Sequence, residues 1–148
     1  MDVDRAELAG QLDDAVVGLR RLTLSRSGLS LTAAATLAAL RQHGPTRLTD
    51  LATAEGVSQP SMTALVGRLA GQGLVERRAD PADRRAVLIA LTDAGAALLD
   101  QRRAVRAARL RGPLAELAED DVRHITDALP ALTRLAGVLT TSEGRRRP

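Results

Sequence analysis

A chain of 148 residues, 45% of them hydrophobic, is long enough for one compact domain or for a small domain with appended helices. The absence of cysteine excludes disulfides, thiolate metal sites and thiol-based redox sensing, and the absence of Phe, Tyr and Trp excludes the stacking platforms on which single-strand-binding modules hold bases. The formal charge is only +3, but all 21 basic residues are arginine, which favours bidentate contacts to phosphate and guanine and gives a pI of about 11.0; codon bias in a GC-rich genome would equally explain the missing lysine.

From Asp4 to about Leu24, the stripe Leu8, Leu12, Val16 and Leu19 predicts one amphipathic helix. Residues 25–30 read as a loop, and Thr32 is expected to cap a small-residue helix that Gly44-Pro45 ends. Thr49 is expected to cap a short helix, Asp50 to Glu55, with Gly56 as the turn. Ser58 follows as a good N-cap, and Pro60 is tolerated in a first turn. Met62, Leu65, Val66 and Leu69 then recur at helical spacing until Gly71 and Gly73. Two short strands are expected, one opening at Leu74-Val75 and one over Val87–Leu91, with the polar turn Ala79-Asp80-Pro81-Ala82-Asp83-Arg84-Arg85 between them. Thr92 caps a long helix, with Asp93 in its first turn, that runs to about Arg111 before Gly112-Pro113 breaks or kinks it. A last helix, about Glu119 to Leu139, carries Val122, Ile125, Leu129, Leu132, Leu135 and Leu139, with a bend expected at Pro130. Residues 142–148 read as a frayed basic tail.

Catalysis has little to stand on. His43 and His124 fall in separate helices without metal-ligand spacing, and no nucleophile motif or phosphate-binding loop is present, so neither an enzyme nor a bound cofactor or metal is expected. The acidic run Glu116, Glu119, Asp120 and Asp121 marks a helix start. No apolar run would span a membrane and the acidic N-terminus does not read as a signal peptide, which points to the cytoplasm.

A helix-turn-helix followed by a hairpin with a basic tip is the plan of a winged helix: the second helix suits a major groove, and the tip can reach the backbone or the neighbouring minor groove. Base edges would then face Gln59, Ser61 and Thr63, with Pro60 as an apolar contact and Ser58 chiefly a cap. Arg68 suits either a phosphate contact or an intramolecular bridge. Arg77 and Arg78 alternate along a strand, so one faces solvent or DNA while the other braces the wing. Arg102, Arg103, Arg106 and Arg109 read as a solvated face rather than a DNA surface.

Asp83-x-Arg85, five residues, then Leu91-Thr92 resembles the wing signature of the MarR family of bacterial transcription regulators, and GLVERRADP and DPADRR are similar to that family's approach strand and wing. The resemblance implies a mainly α fold with a small β-hairpin. Residues 1–30 would form an N-terminal dimerisation helix and residues 31–92 a winged helix-turn-helix domain, with Thr46-Arg47-Leu48 a small strand beside the wing. Residues 93–141 would hold the long linking helix and the C-terminal dimerisation helix. By the same resemblance Arg85 enters the minor groove, Asp83 orients it and Arg84 adds a donor; where the family commonly has a basic residue this chain has Ala64. The implied function is a homodimeric, duplex-DNA-binding regulator on a pseudo-palindromic site, a repressor relieved by a small anionic or phenolic effector. No effector-binding residue can be assigned from the sequence. Two other readings stay open: an activator or antirepressor with the same fold, and a helical ligand- or protein-binding module that no longer touches DNA.

Overall fold

A computed structural model describes residues 4–23, 29–83 and 86–145, with backbone alone at 21–23 and 139–145. In chain order it runs α1 (Arg5–Thr23), α2 (Leu31–His43), β1 (Thr46–Arg47), α3 (Leu48–Glu55), α4 (Gln59–Gly71), β2 (Val75–Ala79), β3 (Val87–Leu91), α5 (Asp93–Ala115) and α6 (Glu119–Arg145). This is the expected mainly helical winged helix-turn-helix. The three strands form an antiparallel sheet in the order β1-β3-β2, with Thr46 opposite Ile89 and Arg77 opposite Ile89 from the other side.

The core lies where α2, α3, α4 and the sheet meet. Leu37 and Leu40 of α2, Leu51 of α3, Met62, Val66 and Leu69 of α4, and Ile89 of β3 are almost wholly buried and form one cluster, against which Leu98 and Leu99 of α5 pack. Met62, Leu65 and Leu69 are therefore core residues, and their burial turns the opposite face of α4 outward. Gly73, at φ 71°, takes the left-handed conformation that ends α4, and the Leu74 N–H donates to Leu69 O at 2.9 Å.

Several boundaries differ from the sequence reading. The cap of α2 is Ser30, not Thr32: Ser30 Oγ accepts the Ala33 N–H at 3.1 Å, and starting two residues earlier lets the Ala34 N–H bond Ser30 O within the helix. Thr49 does not cap α3. The strand β1 runs directly into that helix, leaving Arg47 at the cap position with no side-chain cap bond. Gly112-Pro113 does not end α5 at Arg111, because near a C-terminus a proline removes only one intrahelical bond; the helix closes at Ala115, where the Glu116 N–H donates to Pro113 O. The tail expected from residue 142 continues α6 as far as Arg145. No proline intervenes before Pro148, and a lone Gly144 costs a helix only about 1 kcal/mol. Among the described residues no helix is long and apolar enough to cross a membrane.

Candidate nucleic-acid interface

The start of α4 is built by its own residues. Ser58 is in the extended region and its Oγ accepts the Ser61 N–H at 3.3 Å, as a cap should; the two hydroxyls also lie 2.8 Å apart and share a hydrogen bond. Thr63 Oγ1 donates to Gln59 O at 2.9 Å, so its hydroxyl is oriented by the helix and its oxygen keeps acceptor capacity for an incoming group. Gln59, Pro60, Ser61 and Thr63 are all exposed, on the face opposite Met62, Leu65 and Val66. Arg68, one turn from the end of α4, is exposed and forms no ion pair with any described residue.

Strand parity places Arg77 and Arg78 on opposite faces of the hairpin, and the register decides which is which. Arg77 pairs with buried Ile89 and lines an open cleft of about 510 Å³ with Gln59 and Thr63 of α4, Arg47 and Thr49 at the start of α3, and Val87 of β3. Arg78, on the other face, donates to Glu76 through Nε at 2.6 Å. One edge of the exposed α4 surface is thus flanked by Arg77, while Arg47 pairs with Leu88 on the Arg78 face and its guanidinium is held by Asp80. Such a concave, cationic edge beside a polar helix start suits a phosphate backbone running past a helix seated in the major groove.

The turn at the end of the wing is organised by Asp80. Its N–H donates to Ala86 O at 3.1 Å, its O accepts the Asp83 N–H at 3.3 Å and its Oδ1 accepts the Ala82 N–H at 2.9 Å. Its Oδ2 takes both Nε (3.3 Å) and Nη2 (2.8 Å) of Arg47, thirty-three residues earlier. Asp83 is exposed, 4.0 Å from the same Nη2, and its O accepts the Ala86 N–H. Arg84 and Arg85 lie outside the described residues, and with them the pairing of Asp83 and Arg85. Reading along the sequence missed Arg47 and Asp80 as partners. Asp80-Pro81 signals a turn, but no local spacing reports a bond between β1 and the wing.

The hydrogen bonds from Arg47, and then from the Ala82 N–H, hold the Asp80 carboxyl below the usual carboxylate range. A depressed folded pKa contributes stability that is present above the unfolded value and lost as pH falls through the folded one. Acid titration followed by far-UV circular dichroism should therefore show the advantage of the wild type over Asp80→Asn at neutral pH shrinking as pH drops below about 4. A constant gap would mean that the carboxylate charge does not matter there.

Among the described residues no three His, Cys, Asp or Glu side chains are grouped to hold a metal ion, and both histidines are exposed. Helix-turn-helix, three-stranded wing and exposed polar helix start together define the winged helix-turn-helix class of DNA-binding domains. The family model described as "MarR family" matches residues 29–87. The chain is 35% identical over 133 residues to the HTH-type transcriptional regulator MT0903.1 of Mycobacterium tuberculosis, covering 86% of this chain and 93% of the relative. It is 48% identical over 65 residues to the HTH-type transcriptional repressor NicR of Pseudomonas putida, a match that spans 44% of this chain but only 41% of that relative. Among solved structures, RV1404 of Mycobacterium tuberculosis superposes with a TM-score of 0.77 at 26% identity, over 93% of this chain and 97% of that one. BpsR of Bordetella bronchiseptica, solved to explain regulation of its DNA binding by 6-hydroxynicotinic acid, superposes at 0.53 with 25% identity, over 88% and 93%. The chain belongs to the MarR family of transcriptional regulators.

Proposed function

We propose that the protein is a cytoplasmic, homodimeric repressor that binds a pseudo-palindromic duplex and releases it when a small anionic or phenolic effector binds between the dimer helices and the winged domain. The observation that carries the DNA reading is the exposed row Gln59, Pro60, Ser61 and Thr63 beside the cleft that Arg77 lines. In this reading Gln59, Ser61 and Thr63 meet base edges, Arg68 and Arg77 serve the backbone, and Arg78, paired with Glu76 on the other face, braces the wing. Arg85, oriented by Asp83 and seconded by Arg84, enters the adjacent minor groove. Repression is supported by the NicR name, and control by an effector by the 6-hydroxynicotinic acid of BpsR. The dimer is supported by the apolar faces that α1 and α6 leave exposed on one copy.

The test is fluorescence anisotropy on the duplex upstream of its own gene, from 50 to 200 mM salt. An inverted repeat should be bound at least about 10³-fold more tightly than scrambled duplex, with log K falling linearly in log salt. Arg85→Ala should weaken binding, flatten the preference for A·T-rich flanks and, where the side chain neutralises a phosphate, reduce the slope by about 0.9. Equal affinity for repeat and scrambled duplex would refute the regulator reading, and an unchanged Arg85→Ala titration would leave the wing as scaffold.

A further inference from the structure

We propose that Arg47 is a positioning residue for the wing: by clasping Asp80 it sets the angle at which the hairpin meets duplex DNA. The assignment rests on the DNA-binding reading above and adds to it a residue that does its work without touching the nucleic acid. Its basis is the reach of the third strand. β1 has two residues, and its pairing stops at Arg47 opposite Leu88. Beyond that point the hairpin is two-stranded, closed by the pair Ala79 and Val87 and then by the turn. A two-stranded ribbon twists and bends more readily than a three-stranded sheet.

The Arg47 side chain continues where its backbone stops. It runs along the outer hairpin to the corner of the turn and ties that corner to the start of α3, the helix that packs on α4. The wing is thereby referenced to the recognition helix by one side chain. The turn does not need this bond to close, since the Asp80, Ala82, Asp83 and Ala86 backbone groups already bond one another and Asp80 Oδ1. The tether acts on orientation. Asp80 is only 8% exposed, so its carboxylate has little water to fall back on, and the guanidinium supplies two donors at a fixed angle. Lysine would supply charge without that fork. Because Nε and Nη2 are committed to the protein, a direct phosphate contact through the same nitrogens would break the tether.

The experiment is a double-mutant cycle on Arg47→Ala and Asp80→Asn. The second substitution spares the turn, because an amide oxygen can still accept the Ala82 N–H while the charge is gone. Affinities are measured on a duplex that the wild type selects from a random pool, with A·T-rich and with G·C-rich flanks, at a temperature where far-UV circular dichroism shows every variant folded. Each single variant should bind the A·T-flanked duplex about tenfold more weakly, its A·T-to-G·C ratio should fall towards one, and the double variant should be no worse than either single. Additive losses, a loss confined to Arg47→Ala, or a uniform loss with the flank ratio intact would each overturn the assignment. Where Arg47→Ala does not fold, Arg47→Lys takes its place: a reduced flank ratio is expected, and a normal one overturns the proposal. A wild type that selects no duplex refutes the DNA reading itself, which separates that failure from the failure of the tether.

Discussion

Gly95→Ala should lower the melting temperature by about 5–10 °C, a cost of about 2–3 kcal/mol for one methyl group. Gly95 lies in the first turn of α5 and is buried, with an ordinary helical backbone, so room rather than conformation requires glycine there. A Cβ would stand 2.2 Å from Leu74 O and 2.6 Å from Leu91 Cδ1. The leucine side chain can turn aside, but the carbonyl cannot. Leu74 O accepts the Thr92 N–H at 3.1 Å, the Leu74 N–H is held by Leu69 O, and Thr92 Oγ1 donates to Gly73 O at 2.6 Å while accepting the Gly95 N–H at 3.1 Å. The end of α4, the start of β2 and the start of α5 are thus pinned at one joint, and a methyl group forces it apart. Gly67 is the control. It is exposed in the middle of α4 with nothing within 4 Å of its Cβ position, so Gly67→Ala should raise stability by about 0.5–1 kcal/mol. Thermal melts by far-UV circular dichroism test both, and equal melts for Gly95→Ala and the wild type would show that the close approach relaxes freely.

The joint at Gly95 shows what kind of information a single sequence withholds. Thr92 was legible as a cap because capping is local, a hydroxyl and an amide three residues apart, and Ser58 was legible for the same reason. The burial of α4 was legible because Met62, Leu65, Val66 and Leu69 repeat at helical spacing, and the strands because turn residues separate two apolar runs. Alternation told that Arg77 and Arg78 face opposite ways, but only pairing with Ile89 says that Arg77 is the one beside α4. Gly95 carries no mark of its own; its need arises from Leu74, twenty-one residues away in sequence. Arg47 and Asp80 are likewise ordinary charged residues until the sheet sets one against the other. Caps were misplaced where two hydroxyls compete, as Ser30 and Thr32 do, or where a strand leaves no room for a cap, as at Arg47.

The second large effect concerns the two ends of the chain. The proposed dimer should be abolished, and DNA binding weakened at least about 100-fold, by Leu129→Asp combined with Leu132→Asp. Ile125, Leu129 and Leu132 follow one another at spacings of four and three, which places them along one side of α6, and in a single copy Leu129 is 52% and Leu132 40% exposed. On α1, Leu8, Val16 and Leu19 make a similar exposed stripe, with Leu12 half-buried between them. So many leucines left in water on two long helices cost what a second copy can recover, and an interface of this kind behaves as a core cut in half, with no stable monomer expected. Two aspartates in each chain would bring four carboxylates into a two-fold apolar seam, where burying a charge without a partner costs far more than burying leucine. Loss of the seam separates the two recognition helices, and a half-site held by one copy forgoes the gain from binding both halves at once. Arg134→Ala is the control: its position, half a turn from Leu129 and Leu132, puts it on the opposite side of α6, and it should leave the assembly unchanged. Sedimentation must be followed by peptide-bond absorbance, since the chain has neither Trp nor Tyr. The wild type should sediment as a dimer at micromolar concentration and the double variant as a monomer or an unfolded chain. A double variant that stays dimeric and binds DNA normally would place the interface elsewhere on the molecule.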